Sequence, residues 1–293
     1  MPHALRTPLL LAAGLVATLA VAACAPTEEE APSDADATAS GDSCATADLP
    51  TYEDGQLTIA TDKPAFPPWF VDNDPTKGKG FESAVAYAVA GELGFADGEV
   101  EWVTVPFNAS YQPGSKEFDF DINQISITPK RAESVTFSRG YYTAAQAVIT
   151  LQDSEFAEAT NLDELTEARF GVQVGTTSLS AITDVIQPTK EPAVYDDTNA
   201  ATNALQNGQV DAIVADLPTA FYITGAQLVE GGTIVGQFQP AEGETEQFGL
   251  LFEQGDPLVD CVDAALATLE QDGTLAQLEQ RWLADVANAP ELS

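Results

Sequence analysis

The 293-residue chain predicts an α/β protein of two lobes joined by two crossing strands. Three observations predict it. A strand, helix, strand succession occupies Gln56 to Phe107, and a second occupies Arg169 to Asp216, each connection long enough for parallel pairing. Between them, Ala144 to Leu151 reads as a strand leaving the first lobe. Beyond the second succession, Gln247 to Phe252 reads as the strand that returns. At this length each lobe has room for a core of its own. A content of 44% hydrophobic and 19% charged residues is that of a globular protein.

The first 23 residues read as an export signal. Arg6 is a thin positive start, and Leu9 to Ala20 is apolar but short for a membrane span. Val21–Ala22–Ala23–Cys24 is a small-residue cleavage site. That tetrad resembles a bacterial lipobox, which implies that Cys24 is lipidated and anchors the chain to the cell membrane. Residues 24–48 are small and acidic and read as a disordered tether, because they bury too little surface to offset their ordering entropy. Removing residues 1–23 also removes His3, the one histidine, so Ser-His and Cys-His nucleophile pairs and histidine-ligated zinc or copper sites are excluded. The formal charge of −35 argues against nucleic-acid binding. Cys44 and Cys261 are left as an even pair, which in an exported chain suggests a disulfide between the beginning and the end of the folded part.

The elements follow in order. Gln56 to Asp62 alternates as a strand, and Phe66–Pro67–Pro68–Trp69–Phe70 is a stiff aromatic loop that two prolines keep from being helical. Gly80 opens a helix with Val85, Ala88, Val89 and Leu93 on one face and Gly94 as its stop. Glu82 in its first turn favours the helix dipole and is also a candidate contact for a basic residue of a partner. Glu101 to Phe107 is the next strand. Phe118 to Ile127 begins as an alternating strand and delivers Asn123, Gln124 and Ser126 ahead of Arg131. An arginine just beyond a strand end, among hydroxyls and amides, suits bidentate capture of a carboxylate. Arg169 to Thr177 runs a strand into glycine and hydroxyls, with a helix from Ser178 to Ile186, so free N–H groups beside Thr177 favour an anion. Asn199 to Asn207 is a helix, and Val210 to Asp216 is a buried strand followed by Pro218 at a helix start. Two C-terminal helices carry Leu258, Val262, Leu266 and Leu269, then Leu275, Leu278, Trp282 and Leu283.

The run Asp119–Phe120–Asp121, Ser126–Ile127–Thr128, Arg131–Ala132, Phe137–Ser138 and Tyr141–Tyr142 resembles that of the polar amino acid binding proteins of bacterial ABC importers, solute-binding family 3. The resemblance extends from about residue 55 to 286. It implies a type II periplasmic binding protein fold with a two-strand hinge. The lobe limits would be 49–145, 146–237 and 238–293, the last being the return strand and the C-terminal helices of the first lobe. Arg131 would grip the ligand α-carboxylate, Thr176 and Thr177 would hold its second side, and Asp216 would take its ammonium. Asn123, Gln124 and Ser126 match ligand-contacting positions, and Phe66 matches the aromatic cover. Two departures stand out: phenylalanine replaces the usual tyrosine at the cover, and Asp62 to Phe66 is one residue longer than the common spacing. The implied protein is a monomeric extracytoplasmic receptor, lipid-anchored, that hands an amino acid to an ABC permease, with no metal, no cofactor and no catalysis. A cyclohexadienyl dehydratase-like enzyme and an amino acid sensor without transport are the alternatives. Asn123 and Gln124 favour a polar side chain, Asp62 a basic one and Lys63, if turned inward, an acidic one. A neutral polar or basic amino acid is expected.

Overall fold

The structure is a computed structural model that describes residues 44–229, 231–239, 245–284 and 289–293. The expected export signal, the lipidation site Cys24 and the tether up to residue 43 lie outside the described residues. The strands are β1 (Leu57–Thr61), β2 (Val100–Thr104), β3 (Phe120–Asp121), β4 (Thr136–Ala144), β5 (Gln146–Leu151), β6 (Phe170–Gln173), β7 (Ala193–Tyr195), β8 (Ala212–Asp216), β9 (Gly232–Phe238) and β10 (Glu246–Phe252). The helices are α1 (Phe81–Glu92), α2 (Phe107–Ser110), α3 (Pro129–Ala132), α4 (Thr177–Ser180), α5 (Thr198–Gln206), α6 (Leu217–Tyr222), α7 (Leu258–Gln271) and α8 (Thr274–Leu283).

Two mixed sheets result, in the orders β2-β1-β3-β10-β4 and β7-β6-β8-β5-β9. Each joins a parallel trio to an antiparallel pair. In the first, β1 is parallel to β2 and β3, and β10 is antiparallel to β3 and β4. In the second, β6 is parallel to β7 and β8, and β5 is antiparallel to β8 and β9. Ala145 alone separates β4 from β5, so the chain passes from one sheet to the other within one residue. It returns between β9 and β10.

Strand β1 is buried along its whole length, as a parallel strand covered on both faces must be. One face of the first sheet packs Leu57 and Ile59 against Phe81, Val85 and Val89 of α1 and Leu266 of α7. The other gathers Ala60, Phe118, Ile125, Val135 and Leu251. The second sheet is likewise covered on both faces, by Val148, Val172 and Ile182 on one and Ile149, Ile213 and Leu205 on the other. Cys44 and Cys261 are bonded, with Cα atoms 5.5 Å apart and 217 residues of separation. Loop-closure models assign such a crosslink roughly 5 kcal/mol.

Three segments differ from the sequence reading. Phe107 lies in α2 rather than at a strand end, because Pro106 stops β2 from continuing and stands at the helix start. The strand expected over Phe118 to Ile127 pairs as a strand at Phe120–Asp121 and resumes only as a single bridge from Ser126 to Phe248, since Gln124 between them has a φ of +48° that no ladder accepts. Residues 289–293 do not stay with the C-terminal helices. Glu291 bridges Gln237, Leu162 donates its N–H to Ser293 O, and Leu292 enters the core of the second sheet. Gly236 makes room there, because a Cβ at that position would lie 2.7 Å from Leu292 Cγ.

Candidate functional site

The site lies where the C-terminal ends of the parallel strands of the two sheets face each other across the β4–β5 crossing. Arg131 belongs to α3, a single turn that Thr128 caps by accepting from the Arg131 N–H at 3.2 Å. Its side chain is only 8% exposed. Nη1 donates to Ser126 O at 2.8 Å and Nη2 to Gly175 O at 3.0 Å, so the guanidinium spans both lobes. The rings of Phe107 and Tyr111 lie 5.4 and 4.9 Å from its Cζ. Such stacking fixes the plane of the fork and stabilises its charge. None of the ion pairs among the described residues includes Arg131.

From the second lobe, β6 ends at Gln173 and the chain turns through Gly175, whose φ is +76°. Glycine is required here: a Cβ would lie 2.3 Å from Tyr111 Oη and 2.5 Å from Asn108 Oδ1. Thr176 is the cap of α4, accepting from Leu179 N at 3.3 Å and donating to Gln173 O at 2.9 Å. Its hydroxyl is therefore spent on the backbone. Thr177 Oγ1 faces inward, 3.2 Å from Ser126 Oγ on the first lobe. Asp216 closes β8 and caps α6, accepting from Thr219 N at 3.0 Å. Burial pushes its carboxyl up to about 6, the bonds from Thr219 pull it down, and the nearby charge of Glu246 raises it further.

The aromatic loop reaches the second lobe at two places. Phe66 packs against Tyr222 of α6, ring centroids 5.7 Å apart. Trp69 is fully buried and donates Nε1–H to Thr219 Oγ1 at 2.9 Å, a further bond between lobes. Asp62, Phe66, Phe107, Asn123, Gln124, Ser126, Arg131, Thr176, Thr177 and Asp216 all line one cavity. Lys63 is exposed and outside it. Asn123 Nδ2 is buried without a partner among the described residues, a donor at the cavity wall. Gln124 differs from expectation in orientation. Its N–H donates to Glu82 Oε1 at 2.7 Å and its Nε2 to Glu82 Oε2, so its amide nitrogen points into the first lobe. Glu82 itself is completely buried and also accepts from Tyr141. It therefore holds the strained Gln124 backbone and presents nothing to a partner surface. Burial takes its carboxyl up to about 7, against the bonds from Tyr141 and Gln124.

The sequence reading missed Gln146, Gln173, Ser178, Thr198 and Thr219, which supply further polar groups to the lining. Ser178 donates to Gln146 Oε1 at 2.6 Å and Thr198 to Gln173 Oε1 at 2.7 Å, so hydroxyls orient both amides. It also missed Glu246. This residue opens β10 and accepts from Ser126 Oγ at 2.5 Å, Thr177 Oγ1 at 2.6 Å and Gln146 Nε2 at 2.7 Å.

The chain is 27% identical over 229 residues to the arginine-binding periplasmic protein of Mannheimia haemolytica, covering 75% of this chain and 89% of that one. It is 29% identical over 250 residues to the glutamate-binding protein GluB of Corynebacterium efficiens, covering 81% and 80%. A solved structure of an ancestral arginine-binding protein bound to glutamine superposes with a TM-score of 0.65 at 27% identity, over 78% of this chain and 98% of that one. The pattern of the bacterial extracellular solute-binding proteins, family 3, matches residues 57–285, and with its two mixed sheets and the cleft between them the chain belongs to that family.

Proposed function

We propose that the protein is an extracytoplasmic receptor that captures a polar amino acid between its lobes and delivers it to an ABC permease. The observation that carries this reading is the Arg131 guanidinium, buried, stacked on two rings, bonded to carbonyls of both lobes and unmatched by any ion pair among the described residues. A planar cation held this way suits a carboxylate delivered by a ligand. Asp216 stands on the opposite lobe as the partner for an ammonium, and Phe66 as the cover. Ser126, Thr177, Asn123 and Gln124 line the space between, while Thr176 serves it by capping α4. Binding across two lobes couples occupancy to closure, with the hinge at Ala145 and at the return into β10. On this reading residues 49–145 and 238–284 form one lobe and 146–237 the other, and the protein works as a monomer tethered through a lipid on Cys24.

The protein binds its ligand without transforming it. After saturation and dialysis, the released amino acid is expected to be chemically unchanged, and release of a new product would overturn this. The binding role itself is tested by equilibrium dialysis of Arg131→Ala beside the unaltered chain. Removing one member of a buried charge pair costs about 3–5 kcal/mol, so affinity should fall by roughly two orders of magnitude or more. Equal affinity in the two proteins would sink the assignment.

A further inference from the structure

Glu246 is the one acid whose carboxylate is bonded to both lobes at the cleft among the described residues. It is 7% exposed, and its three hydrogen-bond donors are Ser126 of the first lobe and Thr177 and Gln146 of the second. Each donor is neutral, so the charge is solvated by dipoles and not cancelled. Arg131, the single cation lining the cavity among the described residues, spends Nη1 and Nη2 bonds on carbonyl oxygens instead. Asp62 and Asp216 line the cavity, and Glu246 stands directly behind the lining hydroxyls of Ser126 and Thr177. The cleft therefore sets three carboxyl groups against one guanidinium.

The hydrogen bonds have a second consequence. A hydroxyl carries one hydrogen. Ser126 and Thr177 both give theirs to Glu246 Oε1, and so present lone pairs to the remaining space. Lone pairs beside a carboxylate attract N–H donors and repel anions.

We propose that Glu246 is the charge-selectivity residue of the cleft: it commits the hydroxyls of Ser126 and Thr177, favours an amino acid with a cationic side chain and rejects one with an acidic side chain. The inference rests on the amino acid receptor reading. A zwitterion adds no net charge to the cleft, a guanidinium or ammonium side chain offsets the excess, and a second carboxylate enlarges it. Removing the charge at position 246 while keeping its shape frees the two hydroxyls to donate.

The test is calorimetric titration of the full chain and of Glu246→Gln with arginine, citrulline, glutamine and glutamate. Arginine and citrulline match in length and differ in charge, as do glutamine and glutamate in the opposite sense. The unaltered protein is expected to bind arginine at least tenfold more tightly than citrulline, about 1.4 kcal/mol, and glutamate most weakly. In Glu246→Gln both charge ratios should shrink by about tenfold. Unchanged ratios in the variant overturn the inference while leaving the receptor reading intact. Glutamate binding as tight as arginine in the unaltered protein overturns it without any variant. Silence toward all four ligands in both proteins overturns the receptor reading, and the inference with it.

Discussion

Asp121 lies on β3 with its side chain fully buried, and neither carboxylate oxygen has a hydrogen-bond partner among the described residues. Burial pushes its carboxyl up to about 8, against the pull of the nearby Ser110 hydroxyl, and the neighbouring acids Glu82 and Asp62 add to the rise. The folded state thus keeps a proton that the unfolded chain loses near pH 4. Stability from this group is complete below pH 4, falls as pH rises toward 8, and changes no further above it. Glu82, raised to about 7, acts in the same direction. The melting temperature of the protein should therefore fall between pH 5 and 8, and Asp121→Asn, which carries no charge to bury, should flatten that fall. A thermal denaturation series across this range that is equally steep in the variant would show that Asp121 is not the group responsible.

The candidate residues that the structure brings together were those marked by a few neighbours in sequence. Arg131 follows its strand within one short run, Asp216 precedes its proline, and Thr177 follows its glycine; the structure brings all three to one cavity. Glu246 gave no such signal, because its partners are 69, 100 and 120 residues away in sequence. Trp69 and Thr219 are 150 apart. The downward turn of Gln124 depends on Glu82, 42 residues earlier, which by itself reads as an ordinary acid in a first helical turn.

At the level of elements, the start of α1 shows how backbone constraint supports the site. Gly80 has a φ of +100°, and a Cβ there would lie 2.3 Å from Trp69 O. That same carbonyl accepts from Glu82 N at 3.1 Å, and Phe81 N donates to Pro68 O at 2.9 Å. The aromatic loop is thus bonded to the helix that positions Glu82. Gly80→Ala adds both a strained φ and a clash with backbone, so unfolding free energy should drop by about 2–4 kcal/mol. Denaturant titration with an unchanged midpoint would show that the loop and helix separate without cost. The strand, helix, strand successions were legible because their period and connection lengths are local properties. The C-terminal segment was not: nothing in Pro290 to Ser293 announces that Leu292 fills a hole beside Gly236.

For the whole molecule, 46 acidic residues against 11 basic ones leave a self-repelling surface. Ion pairs among the described residues involve only Lys77, Arg139 and Arg169 as cations, each with substantial exposure, and exposed pairs contribute little. Added salt shortens the range of this repulsion, with a Debye length of about 10 Å at 0.1 M and about 3 Å at 1 M. The melting temperature should accordingly rise with sodium chloride, and a fall over the same range would mean that attractive surface pairs outweigh the excess charge. Two lobes that meet through Arg131 to Gly175, Thr177 to Glu246 and Trp69 to Thr219 are arranged to sense what lies between them. The most direct test is calorimetric titration of the protein, freed of carried-over ligand, against the twenty amino acids and cystine. Micromolar binding, about −8 kcal/mol, of a small set of amino acids is expected, and it is lost in Arg131→Ala. Silence across the panel, or binding that survives the loss of Arg131, would contradict it.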